Sequence, residues 1–196
     1  MKKMLYWCVT VLCVTLIISL LPTEAEGAIY EDTVRLHILA NSDEKEDQEL
    51  KIKLRDEILR EFSATLSEYE TSEEAKKKLS EALPEIEEFA NEKISELGYS
   101  YSVSATLTEE WYETREYESF TLPRGYYTSL RIIIGEGEGK NWWCVMFPPL
   151  CLDMATEKAP SDDGVKKYTD SEFKLVTQSG YKAKFKILEV VSGIFS

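Results

Sequence analysis

An α+β fold, with an N-terminal strand and helices packed on a mainly antiparallel sheet, is predicted by three features of the sequence. Apolar residues recur at helical spacing from Leu50 to Leu97, they alternate with polar ones from Tyr99 onward, and one continuous apolar run stands apart at the N-terminus. No internal repeat is visible, so a single extracytoplasmic domain over 28–196 is expected behind an export segment at 1–27.

The export segment comes first. Met1-Lys2-Lys3 precedes an apolar stretch from Met4 to Leu21 that is broken only by Thr10, Thr15 and Ser19, and Pro22-Thr23-Glu24-Ala25-Glu26-Gly27-Ala28 follows. A charged start, an apolar middle and small residues at the end are the parts of a signal peptide. Cleavage after Ala25 or Gly27 is expected, although a run of this length also suffices for a retained membrane anchor. The flanking lysines mark the end that stays inside.

Within the domain, Thr33 to Leu39 alternates Val34, Leu36 and Ile38 with Thr33, Arg35 and His37, the period of a half-buried strand. Asn41-Ser42-Asp43 offers capping side chains, and Leu50, Leu54, Ile58 and Phe62 then recur every fourth residue, predicting a helix to about Leu66. Its acidic first turn suits the helix dipole without any ligand. Thr71-Ser72-Glu73-Glu74 starts a second helix, which Pro84 is expected to kink or break before it resumes through Ile86, Phe89, Ala90, Ile94 and Leu97 to a cap at Gly98.

Past Gly98 the period becomes two. Tyr99 to Leu107 reads as a strand, Trp111 to Phe120 as a second strand or extended loop, and Tyr126 to Ile134 as a third strand after Pro123-Arg124-Gly125. Gly135 to Gly139 is a turn, and Asn141 to Phe147 a short apolar strand that Pro148-Pro149 must end. The polar stretch 153–170 is expected to be loop, Phe173 to Val176 a strand, and Tyr181 to Phe195 a last helix. The sheet is expected to be covered on one face.

Charge narrows the function. The chain carries 23 Lys and Arg against 36 Asp and Glu, a net of −13, and Lys2 and Lys3 balance Glu24 and Glu26, so the domain alone bears the same net charge. Such a field repels nucleic acid and anionic lipid, which leaves a protein partner or plain solubility, and contact with a membrane only through the export segment or the partner.

Catalytic and metal constellations are not visible in the sequence. The single His37 has neither mature cysteine near it in sequence, and neither C-x-x-C nor H-E-x-x-H occurs, so no metal and no cofactor are expected. Gly135-Glu136-Gly137-Glu138-Gly139 is followed by no Lys-Ser or Lys-Thr at phosphate-loop spacing and carries two carboxylates that would repel a phosphate. The oxygen-rich stretch from Asn41 to Glu49 lacks the central glycine of a calcium loop. A secreted hydrolase acting on cell wall, with Cys144 or Cys151 as nucleophile or a carboxylate pair as acid and base, is the competing class; nothing in the sequence singles out such a pair.

One segment resists a purely structural account: Asn141-Trp142-Trp143-Cys144-Val145-Met146-Phe147-Pro148-Pro149-Leu150-Cys151. Consecutive tryptophans on a strand point to opposite faces. Either both faces are covered and both rings pack, or one ring faces a partner. Cys144 and Cys151 are the only cysteines beyond the export segment. If Pro148-Pro149 turns the chain back they can form a disulfide, which for a ring of about eight residues would contribute about 2.5 kcal/mol; an extended segment forbids it.

This segment, together with Arg35-Leu36-His37-Ile38-Leu39-Ala40-Asn41-Ser42-Asp43, Leu83-Pro84-Glu85-Ile86 and Pro123-Arg124-Gly125-Tyr126-Tyr127, resembles the stage II sporulation protein R family of endospore-forming bacteria. The resemblance covers nearly the whole domain. It implies a protein made in the forespore and exported into the space between forespore and mother-cell membranes, where it signals to a membrane-embedded aspartic protease, stage II sporulation protein GA, that cleaves the precursor of sigma factor E. No catalytic residue carries over. Under this reading the partner contact is expected at Asn141, Trp142, Trp143, Phe147 and Pro148, with Arg35, Asn41 and Asp43 as further candidates.

Overall fold

A computed structural model describes residues 2–19, 21, 23–117, 120–150 and 168–177. The described elements are α1 (Lys2–Ser19), α2 (Glu24–Glu31), β1 (Val34–Leu39), α3 (Lys45–Ser67), α4 (Ser72–Glu96), β2 (Val103–Tyr112), β3 (Arg115–Glu116), β4 (Thr121–Leu122), β5 (Gly125–Ile134), β6 (Asn141–Phe147) and α5 (Asp170–Thr177). The expected α+β class is present. Four strands form one sheet in the order β2-β5-β1-β6, antiparallel except for the parallel pair β1 and β5, and β3 pairs with β4 in a separate two-stranded ladder.

The first strand departs from the half-buried expectation. All six residues of β1 are buried, because it lies inside the sheet between β5 and β6 and both of its faces are covered. On one face Leu36 stands opposite Leu130 and Cys144, and Ile38 opposite Ile132 and Trp142. Leu50, Leu54 and Ile58 of α3, with Leu79, Ile86, Ala90 and Ile94 of α4, complete that core. The other face also carries a cover, contrary to the one-sided sheet expected: α2 packs on β5 and α5, and α5 reaches β4, bringing Ile29, Tyr168, Leu175 and Val176 into the core.

Pro84 neither breaks nor divides α4. The proline removes the N–H that would bond to the carbonyl of Ser80, a loss of about 3 kcal/mol in an isolated helix. Burial of Leu79, Ile86, Ala90 and Ile94 along one stripe outweighs it. The helix ends as its sequence predicts: Gly98 takes φ 86°, the Gly98 N–H bonds to the Ser95 carbonyl and the Tyr99 N–H to that of Ile94, the paired bonds of a Schellman cap.

Residues 173–176, expected as a strand, lie in helix α5. The overlooked signal is Thr169-Asp170-Ser171-Glu172, in which the Thr169 N–H and Oγ1 both donate to Glu172 Oε2 at 2.6 Å. The loop expected over 153–170 falls mostly, and the helix expected over 181–195 wholly, outside the described residues.

At the N-terminus, α1 leaves Met4, Leu5, Tyr6, Trp7 and Ile17 exposed, and none of its residues joins the core. Among the described residues no helix is long and apolar enough to cross a membrane. By contrast α2 belongs to the domain. Thr23 and Glu26 form a buried capping box, and Ile29 is buried in the core. The folded unit therefore begins near Thr23, so both expected cleavage points fall inside α2.

Candidate functional site

Residues directly opposite one another in a sheet share a face. The pairing of β2, β5, β1 and β6 therefore sets Thr106, Arg131, His37 and Trp143 in one row and Thr108, Ser129, Arg35 and Val145 in the next, on the face away from α3 and α4. Glu110 and Tyr112 follow on the same face of β2. In an acidic chain, this face gathers a histidine and an arginine around one carboxylate, with a second arginine in the neighbouring row.

That carboxylate is Glu110. His37 Nδ1 lies 3.0 Å from its Oε2, the Tyr112 hydroxyl donates to Oε2 at 3.1 Å, and Arg131 Nε stands 3.6 Å from Oε1. The other imidazole nitrogen is occupied as well, with His37 Nε2 2.8 Å from Asn141 Oδ1. An imidazole held at both nitrogens is positioned, and it has no free nitrogen with which to activate a nucleophile. Tyr112 also shares a 2.7 Å hydrogen bond with Ser129 Oγ. Burial, reinforced by the Glu110 charge against the Ser129 bond, drives the Tyr112 phenol far above its ordinary range.

Arg35 is fully buried beside this group. Its guanidinium lies 3.8 Å from the centre of the Tyr112 ring and 5.2 Å from that of Tyr127, and Nη2 donates to the Tyr117 hydroxyl at 2.8 Å. Nε and Nη1 have no hydrogen-bond partner, and among the described residues no carboxylate comes within ion-pair distance. Burial pushes the phenols of Tyr117 and Tyr127 upward, so the cation sits among neutral rings. The attraction of the ring faces replaces a salt bridge.

The two tryptophans divide between the faces. Trp142 lies beneath the Arg55 guanidinium of α3, 4.8 Å from ring centre to cation. Trp143 stacks on His37, with Arg115 of β3 4.3 Å from its centre. Both rings are half-buried and packed against the core, so each keeps an outward edge while neither stands free. Asn141 is exposed, whereas Phe147 is only 2% exposed and Pro148 is buried at the cis peptide bond that ends β6. Of the expected contact residues, Arg35, Phe147 and Pro148 thus present no surface, because they pack inside the fold.

Asn41 and Asp43 serve the architecture around the glycine turn. Asn41 Oδ1 accepts from the Glu136 N–H at 3.1 Å, its Nδ2 donates to Asp47 at 2.8 Å, and Asp43 Oδ1 accepts from the Lys140 N–H at 2.7 Å. Burial works against ionised Asp47, but hydrogen bonds from Ser42, Asn41 and Tyr101 outweigh it and hold its carboxyl below the usual range. Lys51 closes the group by donating to the Lys140 carbonyl at 2.7 Å. The turn between β5 and β6 is clamped from both sides, and this fixes where Asn141 and the tryptophans begin.

Cys144 is fully buried and disulfide-bonded, while Cys8 and Cys13 are free; Cys151, its expected partner, lies outside the described residues. A disulfide sulfur offers no thiolate for nucleophilic chemistry. Among the described residues no group of three or more His, Cys, Asp or Glu side chains could hold a metal ion. Sequence reading singled out His37 and Arg35 but missed Glu110, Tyr112, Ser129, Arg131 and Arg115. Their signal was the polar alternation of Thr106, Thr108, Glu110 and Tyr112 continuing past the point where the strand was expected to stop.

A family model described as Stage II sporulation protein R matches residues 30–157. A curated protein of Bacillus subtilis (strain 168) with the same description is 33% identical over 187 residues, covering 86% of this chain and 84% of that protein. No solved structure matches the chain. The matched residues span β1 through β6 and take in both the polar face and the tryptophan pair.

Proposed function

The chain belongs to the Stage II sporulation protein R family, and on that basis we propose that it is an exported signalling protein. It is made in the forespore, enters the space between forespore and mother-cell membranes, and activates the membrane-embedded aspartic protease, stage II sporulation protein GA, that processes the precursor of sigma factor E. The observation that carries export is α1: an apolar helix behind two lysines that contributes nothing to the core of the domain that follows it.

Signalling by contact requires a surface that favours the active state of the protease over its resting state. The outward edges of Trp142 and Trp143, with Asn141 beside them, form that surface on β6. Large rigid rings already held by Arg55, His37 and Arg115 lose little freedom when a partner covers them.

The test is co-expression of this chain with the protease and the sigma-factor precursor in a non-sporulating host, with and without residues 1–22, which leaves the Thr23 cap of α2 in place. Processing is expected only with the exported form. Trp142→Ala and Trp143→Ala are expected to abolish processing while secretion and folding persist. Processing by the form without the export segment would overturn export, and normal processing by both folded tryptophan variants would overturn the contact.

A further inference from the structure

Strand β2 is an outer strand of the sheet, and its outer edge is closed along only part of its length. The Gly135 N–H bonds to the Ser102 carbonyl, so even-numbered residues of β2 point their backbone groups toward β5 and odd-numbered ones point outward. At the start of the strand, α4 closes the outward positions with side chains. The Val103 N–H donates to Asn91 Oδ1 at 2.8 Å, Asn91 Nδ2 returns a bond to the Val103 carbonyl at 3.0 Å, and the Ala105 N–H donates to Glu87 Oε2 at 3.0 Å. One turn earlier on α4 stands Leu83, which has no hydrogen-bonding side chain. The outward N–H and C=O groups of Leu107, Glu109 and Trp111 have no partner among the described residues.

The side chains along this open stretch are equally unfinished. Trp111 is 51% exposed and Tyr126, directly opposite it on β5, is 63% exposed, the two rings meeting edge to face at 5.1 Å. Leu107 is half-buried, and Glu109, also exposed, stands between Leu107 and Trp111 on the same face. An unpaired edge of this kind ordinarily receives a protecting charge, a bulge or a cover, and here the cover stops halfway and leaves the charge of Glu109 to select what pairs with it.

We propose that this edge binds an extended segment of a partner protein by strand addition, with a lysine or arginine opposite Glu109 and apolar residues beside Leu107 and Trp111. Backbone bonds to the three outward residues supply affinity and the alternating side chains supply selectivity. Charge chooses the occupant. In an antiparallel pairing of two copies of this chain centred on the open stretch, Glu109 would face Glu109 in two molecules of net charge −13, and like charges directly opposite are unfavourable. A basic strand meets the opposite sign, and its cation also lies within reach of the Trp111 and Tyr126 rings. This surface is separate from the tryptophan pair on β6 and does not rest on the protease reading.

The experiment titrates the full chain with two synthetic peptides of roughly nine residues, one alternating valine with lysine and one alternating valine with glutamate. The lysine peptide is expected to bind at least about tenfold more tightly and to slow amide exchange at Leu107, Glu109 and Trp111 by about tenfold or more. Glu109→Pro removes an outward N–H that the β2–β5 ladder does not use, and is expected to weaken the lysine peptide by about tenfold or more. Glu109→Lys, which keeps the backbone donor, is expected to reverse the preference between peptides, and it carries the test if the proline variant does not fold. Equal affinity for the two peptides, protection confined to other strands, or a dimer of the chain that Glu109→Pro dissociates would each overturn the proposal.

Discussion

The imidazole of His37 stacks on the indole of Trp143, centroids 5.7 Å apart and planes 25° from parallel. The contact couples β1 to β6 across the polar face, while Arg115 covers the outer side of the same indole. A double-mutant cycle of His37→Ala and Trp143→Ala is therefore expected to show a coupling of about 1 kcal/mol in urea unfolding. Trp142→Ala, whose ring lies on the opposite face, should add to His37→Ala without coupling. Strict additivity of the first pair would mean that the stack is incidental.

Arg35 gives a sharper case, because a fully buried cation with two unpaired nitrogens, Nε and Nη1, is a cost that the ring contacts only partly offset. Arg35→Met fills similar volume without charge and is expected to leave stability unchanged or raise it by about 1 kcal/mol, whereas Arg35→Ala opens a cavity and should lose about 3 kcal/mol. Chemical denaturation of the two variants decides it. A methionine variant as unstable as the alanine one would show that the guanidinium itself holds the fold.

Arg35 and His37 also show how far the sequence was legible. The alternation from Thr33 to Leu39 located the strand correctly, but periodicity reports only that one face is apolar, and it cannot report that a strand lies inside a sheet whose second face is polar and covered. The long-range pairing with β5 and β6 buries Arg35 and His37, and it rests on contacts about a hundred residues away. Of the kink or break expected at Pro84, the break does not occur for a related reason: local propensity favours an interruption, and tertiary burial of the surrounding stripe keeps α4 continuous. Gly98 was legible because a C-terminal cap is decided within one turn.

Three glycines are expected to separate by their surroundings. A Cβ on Gly139 would collide with the Ser42 carbonyl, a backbone group locked by the clamp on the β5–β6 turn, so Gly139→Ala should cost about 2 kcal/mol or more. Gly98→Ala meets no atom but must hold a left-handed φ of 86°, at a cost of about 1 kcal/mol. Gly27 lies inside α2 with nothing within 4 Å, so Gly27→Ala should stabilise by about 1 kcal/mol through helix propensity alone. Thermal unfolding of the three variants should rank them in this order, and a Gly27→Ala variant that unfolds at the temperature of the parent would place α2 outside the folded unit.

Glu172 supplies a pH dependence whose sign can be worked out. It is fully buried, Oε2 accepts two bonds from Thr169, Oε1 has no partner, and burial followed by the neighbouring Asp32 carboxylate raises its carboxyl above the ordinary range. A group whose acid form is favoured in the folded state contributes stability that is fully present below its unfolded pKa and is lost as pH rises through its raised folded one. Glu172→Gln keeps an acceptor for Thr169, cannot ionise, and offers an N–H toward Asp32. The variant is expected to be about 1 kcal/mol more stable than the parent at pH 8, with the difference vanishing at pH 4, where the parent carboxyl is already protonated. Urea unfolding at the two pH values measures it, and an equal gain at both would assign the effect to packing between α2 and α5 and not to the charge.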